Sequence, residues 1–110
     1  MTLRKKQSIF AKLVGRLIWV AYSWGYELTL GHALRSKIEA KRLGFPGSLH
    51  VLKLAIDLNL FKNGKYLSST NSHRRLGEWW ETQSTDKYEC CWGGRWGDGN
   101  HYSIKHGNRK

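Results

Sequence analysis

The chain is predicted to fold as an α+β domain, a small antiparallel sheet with helices packed on one face and the other face open. Three observations carry this. Residues 3–24 repeat their apolar positions with a helical period, and residues 53–61 alternate with period two up to an Asn63-Gly64 turn. Residues 26–35 alternate in the same way.

At about 100° per residue, Ile9, Phe10, Leu13, Val14, Leu17, Val20, Ala21 and Trp24 share one broad arc of the first helix. Lys5, Ser8, Lys12, Arg16 and Ser23 share the opposite arc. The helix therefore covers one side of the sheet; in an alternative reading its cationic arc also touches a membrane or wall polymer. Gly25 ends it as a C-terminal cap. In 26–35, Tyr26, Leu28, Leu30 and Leu34 face inward, with Thr29, Gly31, Ala33 and Arg35 on the other face. A short helix over 36–44 stops at Gly44 and Pro46. In 53–61, Leu54, Ile56, Leu58 and Leu60 form the apolar face, and Ala55, Asp57 and Asn59 the other. Lys65, Tyr66 and Leu67 return from the turn. A second helix over 72–83 points Leu76, Trp79 and Trp80 inward, with Ser72 as N-cap. Residues 90–100 read as a glycine-rich loop, and 101–104 as a last strand with Tyr102 and Ile104 inward.

The 110 residues suit one domain, with residues 1–8 and the basic tail 105–110 expected to be flexible. Nineteen Lys and Arg against eight Asp and Glu leave a net charge of +11. Such a surface seeks a polyanion, whether nucleic acid, acidic lipid or anionic cell wall. The basic residues are spread along the chain, which favours a generally cationic surface over a dedicated nucleic-acid arm. Cys90 and Cys91 are adjacent and lack the CxxC spacing of a zinc ribbon, so both read as free thiols of a reducing compartment. Lys12 and Arg16 interrupt the apolar run after LRKK, so no signal peptide is read there, and no stretch has the length of a spanning helix.

The chemistry is carried by His50, Asp57, Asp98 and His101. Two histidines and a carboxylate suit a catalytic zinc with an open position, and the second carboxylate, three residues before the last His, suits a general base. Period-two alternation puts Arg35, Asp57 and His101 on the non-core faces of their strands. If those strands are neighbours, the three look into one cleft on the face away from the helices. His32 falls on an apolar strand face and reads as a core or boundary residue, while His73 and His106 read as surface. Trp92 and Trp96 flank the site loop, as core plugs or as walls of a groove.

The segments SLHVLKLAID (48–57) and DGNH (98–101) match the pattern S-x-H-x-x-G-x-A-x-D followed by a carboxylate-x-x-H, save at one glycine. With AIDLNLFKNGKYL, LGEWW and WGGRWGDGNHYS around them, the chain resembles the zinc D-alanyl-D-alanine carboxypeptidase and L-alanyl-D-glutamate endopeptidase family, in particular its phage endolysin branch. The resemblance runs from about Phe10 to Ser103. It implies that His50, Asp57 and His101 ligate one Zn2+, that Asp98 is the general base, and that Arg35 in LGHALRS polarises the substrate carbonyl. Two features depart from the pattern. Lys53 stands at the usual Gly, where it resists unusual backbone angles and shares a strand face with Asp57, and the stretch between Arg35 and Ser48 is short.

The function this implies is hydrolysis of the L-Ala–D-Glu amide in the peptidoglycan stem peptide. The alternatives are a D-Ala-D-Ala carboxypeptidase, or a non-catalytic cationic module binding wall or nucleic acid on the same scaffold. The expected partners are the stem peptide and, through charge, anionic wall polymers, with no specific nucleic acid and a monomeric state. The protein is expected to be made in the host cytoplasm and to reach the wall after the membrane is permeabilised.

Overall fold

The computed structural model describes residues 1–31 and 49–110. In chain order they form α1 (Leu3–Ser23), β1 (Glu27–Leu30), β2 (Ala55–Lys62), β3 (Lys65–Leu67), α2 (Arg74–Thr82), β4 (Cys90–Trp92) and β5 (His101–Ile104). The strands make one antiparallel sheet in the order β1-β2-β5-β4, with β3 also paired to β2. The architecture is the α+β one expected. The helix predicted over 36–44, and with it His32, Arg35 and Ser48, lie outside the described residues.

α1 follows its sequence pattern closely. Thr2 Oγ1 accepts a hydrogen bond from the Lys5 amide, and Gly25, at φ 87°, follows the last turn. Phe10, Leu13, Leu17, Val20 and Ala21 are buried. They meet Leu54, Ile56, Leu58 and Leu60, all buried, in one core with α2. Apart from Ala21, each such side chain contributes about 1.5–3 kcal/mol on leaving water, which is what holds the helices to this face of the sheet. Phe10 stands edge-on to Trp80 at 5.9 Å. At the β2–β3 turn Asn63 and Gly64 both have positive φ, 52° and 75°, as a type I′ hairpin requires.

Four local expectations are corrected. Leu30 is 65 % exposed, because β1 is the edge strand and no described residue covers its far end. The second helix opens with a 3-10 turn, Thr70–His73, so Ser69 rather than Ser72 caps it, its hydroxyl accepting from the Ser72 amide at 3.1 Å. Residues 90–92 are a strand, not part of a loop, because they pair with β5 at Cys90↔Ile104 and Trp92↔Tyr102. His106 is half-buried, with Lys6 Nζ 3.2 Å from its Nδ1. The two cysteines are free and buried, and burial pushes both thiols up to about 12.

His73 is the largest departure. It is 3 % exposed rather than on the surface, with Nδ1 2.9 Å from the Tyr102 hydroxyl. Burial disfavours the imidazolium and lowers its pKa to about 4. The unfolded chain therefore binds a proton near pH 6.5 that the folded chain refuses until about pH 4. Stability from this group is complete above pH 6.5 and falls through that window, by roughly 3 kcal/mol in all. Urea unfolding of His73→Gln across pH 4–6.5 should show a flatter stability profile than the parent; equal slopes would remove His73 as the cause.

Candidate metal centre

The register of β2 on β5 sets Asp57 directly opposite His101. Antiparallel partners project to the same side of a sheet, here the side away from the core that the neighbouring pair, Ile56 and Tyr102, faces. Asp57 Oδ1 lies 3.7 Å from His101 Nδ1. His50 enters from the turn before β2, where the Leu49 carbonyl accepts from the amides of Leu52 and Leu54. This turn brings His50 Nε2 to 3.4 Å from the same Asp57 oxygen. The two imidazole rings stand 5.5 Å apart.

The turn explains the residue that departs from the family-like pattern. Lys53 lies before β2 rather than on its face, and its φ is 58°. The left-handed backbone expected of a glycine is thus kept with a side chain on it, at a steric cost. Lys53→Gly should stabilise the fold by roughly 0.5–1 kcal/mol, the relief being partly offset by the greater chain entropy of glycine. Denaturant midpoints of the two proteins would measure it, and a loss of stability would mean that the Lys side chain itself supports the turn.

The donor set fits a zinc ion. Metal–nitrogen and metal–oxygen bonds of ~2.0–2.2 Å in a tetrahedron place ligand atoms roughly 3.3–3.6 Å apart. Of the two contacts to Asp57 Oδ1, the 3.4 Å one to His50 falls within that spacing and the 3.7 Å one to His101 just beyond it, and one ligand atom from each of the three residues falls within 4.8 Å of the others. Burial alone would raise the Asp57 carboxyl, but hydrogen bonding and charge from His101 and His50 outweigh it and hold the group well below the usual carboxylate range. Asp57 is therefore ionised, the form a cation needs. Both histidines are buried, which leaves the centre little access to bulk water except along its open side.

Asp98 stands at that side. Its carboxylate is 52 % exposed, with Oδ2 4.0 Å from His101 Nδ1. Backbone bonds lock the loop beneath it: the Asp98 amide donates to the Gly93 carbonyl, and the His101 amide to the Asp98 carbonyl. The loop passes so close to Gly93 that a Cβ there would collide with the Asp98 carbonyl and His101 Cβ. Arg95 ties the same segment to α2 through two bonds to Glu81, at 2.9 and 2.6 Å. Its two tryptophans divide the roles that sequence left open. Trp92 is fully buried, its indole N–H donating to the Gly99 carbonyl and its ring so close to α2 that a Cβ at Gly77 would overlap it. Trp96 is 47 % exposed and stands edge-on to His101 at 5.5 Å, a wall beside the centre.

The sequence-derived residues His50, Asp57, Asp98 and His101 thus come together, while Arg35 lies outside the described residues. A protein-family model described as D-alanyl-D-alanine carboxypeptidase matches residues 44–104, a span that holds all four. No curated protein gives a significant match.

Proposed function

This chain belongs to the D-alanyl-D-alanine carboxypeptidase family of zinc peptidases, and we propose that it is the endopeptidase kind, a phage-type endolysin cutting the L-Ala–D-Glu amide of the peptidoglycan stem peptide. The observation that carries catalysis is the cluster of His50, Asp57 and His101 with the exposed carboxylate of Asp98 beside it. The choice of bond rests on the endolysin-like strings AIDLNLFKNGKYL and WGGRWGDGNHYS.

His50, Asp57 and His101 would hold the zinc. When bound, the metal supplies a Lewis acid that polarises the amide carbonyl and makes water acidic enough to ionise near neutral pH. Asp98 takes a proton from the attacking water and delivers it to the leaving amine as the C–N bond breaks. Its exposure suits this shuttle, since a base on the rim can meet both water and substrate. Arg35, by the resemblance, steadies the oxyanion, a role for a guanidinium where negative charge develops. Trp96 borders the peptide on the His101 side. The net charge of +11 would hold a monomeric enzyme to anionic wall polymers once the host membrane has been breached.

The family description favours one second reading, removal of the terminal D-Ala. Digestion of purified peptidoglycan, with fragments read by mass spectrometry, separates the two. New L-Ala carboxyl ends support the endopeptidase, and release of free D-Ala moves the assignment to carboxypeptidase. Zinc-loaded, folded protein that cuts neither bond would leave a binding module.

A further inference from the structure

We infer that the outward face of α1 docks on an anionic lipid bilayer, with Trp19 seated among the headgroups. On the helical wheel Lys5, Lys12, Arg16 and Trp19 fall within an arc of about 60°, opposite the buried Phe10, Leu17 and Ala21. Lys5, Lys12 and Arg16 are exposed, and Trp19 is 72 % exposed, more than any other large apolar side chain among the described residues. The stripe is about 21 Å long, from Lys5 to Trp19 at 1.5 Å per residue.

Two features set this face apart from an ordinary solvated one. α1 contains no Asp or Glu, and no carboxylate among the described residues pairs with Lys5, Lys12 or Arg16. Solvated helices commonly intersperse both signs; a single-sign face is complementary to a single-sign partner. Its first turn also carries the exposed Arg4 and Lys5 with no acid, against the helix dipole, which favours negative charge there. A local rule broken with no compensating acid among the described residues points outward, to a partner. A tryptophan among cations favours a bilayer over a purely electrostatic polymer contact, because an indole gains most at the boundary between headgroups and acyl chains. α1 packs on the face of the sheet opposite Asp57 and His101, so docking would turn the candidate metal centre away from the bilayer.

The proposal is independent of hydrolysis, and so is its test. Full-length protein is sedimented with phosphatidylcholine vesicles that contain, or lack, about one-third phosphatidylglycerol. Binding is expected only to the anionic vesicles, with a blue shift of tryptophan emission that Trp19→Ala loses. The double variant Lys12→Gln/Arg16→Gln should bind about 20-fold or more weakly, from two surface cations. The control Lys62→Gln/Lys65→Gln removes two exposed charges at the β2–β3 hairpin and should bind much closer to the parent. Equal weakening in both double variants would mean that bulk charge alone is at work and would overturn the assignment to α1. So would absence of vesicle binding, or α1-dependent binding to isolated wall polymer in place of vesicles.

Discussion

Asp98→Asn is expected to leave zinc content and thermal stability unchanged while lowering the rate of stem-peptide hydrolysis by roughly 10²–10⁴-fold, the usual contribution of a general base. The separation follows from where the residue stands. Its side chain is half exposed and, among the described residues, accepts no bond that the loop depends on; the loop is held by the Asp98 amide and carbonyl, which Asn retains. The substitution removes the proton acceptor and almost nothing else. Metal analysis of the purified variant and timed release of muropeptides would be read together. Hydrolysis at the parental rate would take Asp98 out of the reaction.

Removal of the metal is the second large effect. Saturating chelator, or His101→Ala, should abolish hydrolysis and lower the melting temperature. A ligand present at about a thousand times its Kd stabilises the fold by roughly 4 kcal/mol, which for a domain of this size is roughly 15 °C. The chelated protein should still fold, because Asp57 remains paired with His50 and His101 and the apolar core on the other face of the sheet does not involve the ion. Added zinc should restore both the melting temperature and the activity to the chelated parent but not to the His101→Ala protein. Calorimetry with and without chelator measures this. A melting temperature indifferent to chelator and to the substitution would mean that the cluster holds no metal.

Much of the site is legible before any coordinate. His50, Asp57, Asp98 and His101 stand in a linear pattern, and the alternation of 53–61 already places Asp57 away from Leu54, Ile56, Leu58 and Leu60. The left-handed backbone at Lys53 is foreshadowed by the pattern's glycine, although the alternation suggests a strand position there rather than the turn that swings His50 back over Asp57. By contrast, nothing local distinguishes Trp92 from Trp96. One is a core residue and the other a wall because of what α2 and β5 present to each.

The elements determined by sequence alone are those whose cause lies within a few residues. The apolar period and cap of α1, the alternation of β2 and the Asn63-Gly64 hairpin are of this kind, since helix faces, strand faces and turn angles follow from local sterics and spacing. Other features wait on partners distant in the chain. Three residues, Cys90–Trp92, are too few to show a period and become a strand only when β5 supplies hydrogen bonds. His73 looks like any polar residue near a helix start, and is buried because Tyr102, 29 positions later, offers its hydroxyl there. The register that sets Asp57 against His101 is likewise a tertiary fact. Period-two patterning tells which face a side chain takes, and only pairing between strands tells which neighbour it meets.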